Sequence, residues 1–343
     1  MNRDKIYHNI IRIYGSKEKW EKSFWCCVSR KIRIFFKDNY FNNAILYGLQ
    51  KEQERRSVVW GKEKMNFLQK VNFLLKKKGV FIPEIECSIG MICTLKCKNC
   101  NQINYRLNDK SYFDINSVIN NMKKIINSVD YIYQVSIAGG EAFGHPELEK
   151  LIDFLVNSEK IGYIVIVTNG TLFPSDNVIK AMQNEKVLLS VSPYPLKDTE
   201  NRDKIYFELP RKGVHVYHNN EGATWCDFGP LVNRHYSEYE KKKAYVGCWL
   251  KDVLTMIDGT IYRCEKSYVL KNLQIEEPSY GEYIVIDSVD SKELRTKIKN
   301  IYKLKYVNAC NYCNFMDERK IVPAGEQLMD EHDICTNNYS NMQ

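Results

Sequence analysis

Long apolar runs are missing from this sequence. Nowhere do apolar residues approach the roughly 18–20 in succession needed to cross a bilayer, and the segment Met1–Tyr14 lacks a signal-peptide hydrophobic block. A membrane span is therefore not expected, and a cytoplasmic location is. Histidine is sparse, at 6 in 343 residues, and none falls within the densest cysteine segment; the imidazole partners of a mixed zinc site are absent there. There is no internal repeat and no low-complexity tract, which removes solenoid and fibrous classes. Apolar residues make up 44% and charged residues 27%, the balance of a globular chain able to bury a core.

Cysteine, by contrast, is in excess, with 12 residues. In a reducing compartment disulfides are disfavoured, and metal or redox chemistry is the better account of so many thiols. Positive charge is also concentrated. Residues 1–80 hold 19 Lys/Arg against 7 Asp/Glu, a net of +12, while the remainder carries −4. Such a segment can meet nucleic acid, an anionic lipid surface or an acidic protein; the simpler expectation is a solvated, basic helical extension with helices near Trp20–Phe36 and Lys62–Lys78.

Beyond Gly79 and Pro83 the pattern changes to alternating short apolar runs and amphipathic stretches. Strands are expected at Glu84–Ile92, Tyr131–Ala138, Tyr163–Thr168, Val187–Ser192 and Val214–Tyr217, with helices at Ile115–Val129, Pro146–Asn157 and Asn177–Gln183 between them. Repeated β–α units imply an α/β fold, a partial (β/α)6 TIM-like barrel whose chemistry gathers on loops after the strands. From about residue 240 an Asp258-Gly259 pair between apolar runs predicts a β-hairpin, and a helix is expected at Ser291–Tyr302. The expected organisation is an extension over 1–80, a core over 81–235 and a small C-terminal hairpin/helix domain over 236–343.

Cys93, Cys97 and Cys100 stand in the spacing C-x3-C-x2-C on the loop after the first strand. Three thiolates on one short loop can hold three irons of a cubane and leave the fourth open, whereas zinc asks for four closed ligands. The next strand ends in Gly139-Gly140-Glu141, the third in Thr168-Asn169-Gly170, and the fourth carries Ser190 and Ser192. This ordered set resembles the radical S-adenosylmethionine (radical SAM) superfamily. The resemblance implies an open [4Fe–4S] cluster on Cys93, Cys97 and Cys100 that chelates S-adenosylmethionine and cleaves it to a 5′-deoxyadenosyl radical. It further implies that Gly139, Gly140 and Glu141 meet the methionine end, and that Thr168, Asn169, Ser190 and Ser192 surround ribose and carboxylate. Asn99 stands where the superfamily often places an aromatic residue or histidine near adenine.

Cys248, Gly259-x4-Cys264 and Cys310-x2-Cys313 form a second set. It resembles the opening of a SPASM domain, shortened to the "twitch" form; Trp225-x3-Gly229 before it and Val322–Gln327 after it fit the same likeness. The likeness implies a second [4Fe–4S] cluster, closed by these four cysteines, that moves electrons. The same four could also form a zinc ribbon. Cys226 is left over; an unligated cysteine returns hydrogen to substrate in radical SAM epimerases. Cys26, Cys27, Cys87 and Cys335 read as packing residues. The expected function is hydrogen abstraction from a substrate carbon, oxidising or epimerising a sugar or sugar derivative, with reducing equivalents from a donor such as flavodoxin or ferredoxin. Modification of a ribosomally made peptide is the alternative enzyme reading. A zinc- or nucleic-acid-binding module is the non-enzyme one, and leaves Gly139–Glu141 and Thr168–Gly170 unexplained.

Overall fold

A computed structural model describes residues 79–108, 110–218, 224–248, 250–315 and 318–328. The basic segment, with Cys26 and Cys27, lies outside the described residues apart from its last two positions, as does Cys335.

One eight-stranded sheet organises the chain in the order β5-β4-β3-β2-β1-β7-β8-β9. Its first five strands are β1 Phe81–Ser88, β2 Tyr131–Ala138, β3 Ile161–Thr168, β4 Val187–Val191 and β5 Val216–His218, paired in parallel. Each neighbouring pair is linked through a crossover segment, as parallel strands require. The carboxyl ends of β1 to β4 therefore share one edge, the architecture of a partial α/β barrel. Strand β6, Thr224–Cys226, stands apart and pairs antiparallel with β10, Ile321–Pro323. The hairpin β7 Val253–Ile257 and β8 Thr260–Tyr262 joins the main sheet through parallel β1–β7 pairing. Its turn residues Asp258 (φ 43°) and Gly259 (φ 71°) have the two positive φ angles that a tight type I′ hairpin requires. Strand β9, Tyr283–Val285, closes that edge.

Helices α1 Ile115–Ser128, α2 Leu148–Val156 and α3 Asp176–Met182 fill the crossovers, and each exists for a local reason. In α1, Asp114 accepts the Ser117 amide at 2.8 Å as an N-cap, and Ile115, Val118, Met122, Ile125 and Ile126 form one buried face. Each such buried aliphatic contributes about 1.5–3 kcal/mol relative to exposure. Ser175 caps α3. The later helices are α4 Glu200–Glu208, α5 Glu238–Gly247, α6 Glu265–Asn272 and α7 Ser291–Ile301, and α7 packs against α1.

Two expected boundaries shift. The first strand begins at Phe81 and ends at Ser88, not Ile92. Pro83 sits inside it at a position the β1–β2 register skips, where its missing N–H breaks no ladder bond. The chain then leaves the sheet at Gly90, which bridges Tyr112.

Candidate functional site

At the strand-end edge a cleft of about 230 Å³ is lined by Cys93, Cys97 and Cys100 together with Gly139, Gly140, Thr168, Asn169 and Ser192. Residues from the ends of β1 to β4 thus converge on one space. Asn99 and Ser190 are not among its lining residues, and Glu141 faces away from it into the protein.

Glu141 is completely buried; its Oε1 accepts from Thr168 Oγ1 at 2.7 Å and from the Phe143 amide at 3.1 Å, and its Oε2 accepts from the Asn169 amide at 2.8 Å. Burial raises its pKa and those three donors oppose the rise. In this arrangement the carboxylate ties the end of β2 to the end of β3. Asn169 continues the link: its side-chain Nδ2 donates to Thr94 Oγ1 at 3.0 Å and lies 3.7 Å from Cys93 Sγ.

The two glycines have a steric cause besides any ligand. Gly140 adopts φ 52°, and a Cβ there would overlap the Ile92 carbonyl. A Cβ on Gly139 (φ 97°) would strike Ser88 and the Gly90 carbonyl. The cysteine loop thus lies directly on the Gly-Gly turn, and the Glu141 amide donates to Ile92 O at 2.8 Å.

A second clamp comes from far along the chain. Residues Gly325–Leu328 run antiparallel to Lys96–Lys98, with Lys98 N–H donating to Glu326 O (2.8 Å) and Leu328 N–H to Lys96 O (2.9 Å). Cys97 bridges Gln327, whose amide donates to Cys97 Sγ at 3.1 Å. Burial pushes all three loop thiols up, Cys100 to about 12. Thiolates in so dry a wall need a cationic partner, and three thiols on one loop are a donor set that fits an iron–sulfur cluster.

The second set also converges. Cys248, Cys264, Cys310 and Cys313 line one cavity, beside Arg263 and Arg319. Burial pushes the Cys264 and Cys310 thiols up, Cys310 to about 12, and the neighbouring cysteines add to it. Arg263 is 3% exposed and lies over the Tyr245 and Tyr302 rings; Arg319 lies over Phe228. Two buried guanidiniums thus place positive charge on the same cavity wall as the four thiols.

Cys226 is not among the cleft-lining residues; its strand neighbour Trp225 is, and adjacent strand residues point to opposite faces. Sequence reasoning missed Tyr194, Glu86, Asn101, Gln102, Asn104 and Glu265, and read Trp225 without placing it at the cleft; all are on the cleft wall. One signal was available: Glu84 and Glu86 interrupt an otherwise apolar core strand. Glu86 and Glu265 interact directly; burial first, then the Glu265 charge, raises the Glu86 carboxyl well above the usual carboxylate range. Burial also raises Glu265, against hydrogen bonds from Gln102 and Asn101.

A native Glu86 that keeps its proton while the unfolded one ionises costs stability progressively as pH rises through and beyond the ordinary carboxylate range. Glu86→Gln keeps a neutral donor and removes that penalty. The Tm difference between Glu86→Gln and wild type is expected to grow in the variant's favour from pH 4.5 to pH 8. Thermal melts across that range check it, and a flat difference would contradict a protonated Glu86.

Comparison with known proteins adds the following. Residues 87–203 match the model of the Radical SAM superfamily. No curated protein matches the chain. Among solved structures, SuiB of Streptococcus suis bound to S-adenosylmethionine aligns at 16% identity over 49% of this chain, with a TM-score of 0.34. The chain spans 43% of the length of that protein. BtrN in complex with AdoMet and 2-DOIA aligns at 14% identity over 74% of this chain and 98% of its own, with a TM-score of 0.48. Among the described residues no helix is long and apolar enough to cross a membrane.

Proposed function

From the radical SAM domain that the chain carries over residues 87–203, we propose an enzyme that cleaves S-adenosylmethionine reductively and oxidises a small sugar-like substrate by two electrons. The observation that carries this reading is the single cleft shared by Cys93, Cys97, Cys100, Gly139, Gly140, Thr168, Asn169 and Ser192. When bound there, a [4Fe–4S] cluster and S-adenosylmethionine supply an electron and a 5′-deoxyadenosyl radical able to take hydrogen from a substrate carbon.

The chain's own residues have definable parts. Cys93, Cys97 and Cys100 hold the cluster, and Asn169 and Gln327 donate toward two of their sulfurs. Gly139 and Gly140 present backbone to the methionine end, Thr168, Asn169 and Ser192 offer polar contacts, and Glu141 fixes the strand ends that carry them. Cys248, Cys264, Cys310 and Cys313 would hold a second cluster beside Arg263 and Arg319, which would supply a place for an electron. A twitch-like auxiliary domain is part of this reading, as is an external reductant of the flavodoxin or ferredoxin kind. Oxidation is favoured over epimerisation because Cys226 is off the cleft wall.

Anaerobic reconstitution, iron counting and product analysis test the whole. About eight irons per chain are expected for two cubanes, with 5′-deoxyadenosine formed from S-adenosylmethionine and dithionite. Absence of 5′-deoxyadenosine from reconstituted protein would overturn the proposal. In a Cys310→Ala/Cys313→Ala variant, iron is expected to fall to about four per chain while 5′-deoxyadenosine still forms. Unchanged iron in that variant would remove the second cluster.

A further inference from the structure

We infer that the part of the cleft walled by Glu86, Asn101, Asn104 and Glu265 binds a non-anionic substrate through its hydroxyl and amine donors. The inference rests on the radical SAM reading of the same cleft and adds the chemical class of what enters it.

Each amide nitrogen of the wall already has an acceptor within the protein: Asn101 Nδ2 donates to Glu265 Oε2 at 2.6 Å, Gln102 Nε2 to Glu86 Oε1 at 2.9 Å, and Asn104 Nδ2 to Gln102 Oε1 at 3.2 Å. The amide atoms of the wall that lack any partner are oxygens. Asn101 Oδ1 and Asn104 Oδ1 are buried without a donor among the described residues, and both residues line the cleft. Asn104 as a residue is only 5% exposed, so water does not readily satisfy it. A buried acceptor left without a donor costs about 1–3 kcal/mol, and native interiors rarely leave such groups unpaired. A ligand bringing O–H or N–H groups would relieve both.

Charge narrows the class further. Among the described residues that line the cleft there is no lysine, arginine or histidine. Lys266, next to Glu265 in sequence, is 3% exposed and lies over the Phe228 ring at 5.4 Å. A phosphate or carboxylate entering here would meet acceptor oxygens with no cation to pair it, a costly desolvation. Neutral hydroxyls and ammonium groups find partners. Tyr194 and Trp225, edge to face at 5.3 Å, add apolar area on the same cleft for the C–H face of a ring. Hydroxylated, aminated, non-phosphorylated rings fit this lining.

Saturation-transfer difference NMR on the reconstituted protein with S-adenosylmethionine, using D-glucosamine, myo-inositol and D-glucose 6-phosphate as probes, tests the assignment. Saturable signals are expected from glucosamine and myo-inositol and none from glucose 6-phosphate. Asn104→Ala, which removes an unpaired acceptor without adding charge, should weaken both glucosamine and myo-inositol about tenfold. Asn104→Asp, which keeps an oxygen acceptor at the same place, should bind both more tightly than Asn104→Ala. Binding of glucose 6-phosphate as tight as glucosamine, no saturable binding of either uncharged or aminated probe, or wild-type affinities in Asn104→Ala would overturn the inference. Failure of the radical SAM reading itself shows separately, as no 5′-deoxyadenosine in the absence of any probe.

Discussion

Replacing Cys97 with alanine is expected to lower iron in the reconstituted protein from about eight to about four per chain and to abolish 5′-deoxyadenosine formation. Two thiols cannot hold three irons, and among the described residues no histidine or further cysteine lines the cleft to take the vacated place. The loop itself should persist. Its position is fixed by backbone hydrogen bonds from Lys98 to Glu326, from Leu328 to Lys96 and from Glu141 to Ile92, none of which involves the sulfur. The variant is therefore expected to stay folded, with a loss of about 1–2 kcal/mol for the small buried side chain. Metal analysis, chromatography of nucleoside products and a thermal melt read the three effects separately. Full iron or residual 5′-deoxyadenosine would show that Cys97 is not a ligand. Loss of the fold would assign it a structural part instead.

The second large effect belongs to Gly140. Alanine there must adopt φ 52° and place a methyl against the Ile92 carbonyl oxygen. Left-handed backbone costs a non-glycine residue about 1–2 kcal/mol, and forcing an extra carbon into a packed contact adds about 1–3 kcal/mol. A total near 3 kcal/mol corresponds to a fall in Tm of roughly 4 °C for a chain of this size. Because the struck atom belongs to the cysteine loop, the relaxation moves Cys93 away from the Gly-Gly turn, and cluster loading should fall together with stability. Comparing Gly140→Ala with Gly213→Ala separates the causes. Gly213 has φ 82° but open space around its Cβ, so it reports backbone strain alone. Equal losses in the two variants would contradict the close approach to Ile92.

Much of the cleft was legible from local signals. Strand β2 falls where its apolar run predicted it, and β3 and β4 differ at their ends by a residue or two. Cys93, Gly140 and Thr168 could be ordered on successive strand ends because parallel β–α units force those ends to one edge. The turn at Asp258-Gly259 was legible for the same local reason: two positive φ angles select those residues. Helices α4 and α5 were missed because they bury almost nothing; Ile205 is the buried residue of one and Ala244 of the other, so no apolar period marks them. Helix α6 was hidden because two of its four buried residues are Lys266 and Ser267, so no apolar period marks it either. Glu86 and Glu265 could not be paired from sequence, since 179 positions separate them and only the β1–β7 pairing brings their elements together. The glycine pair was read as making room for a ligand; the room it makes is filled at least in part by the protein's own loop.

The clamp between Gln327 and Cys97 joins residues 230 positions apart. Closing so long a stretch of chain carries an entropy cost that must be met before the contact repays it. The thiol loop, though it follows the first strand of the sheet, therefore gains its full set of contacts only once a segment far along the chain is in place. A ribosome must release residue 328 before residue 97 has all its neighbours.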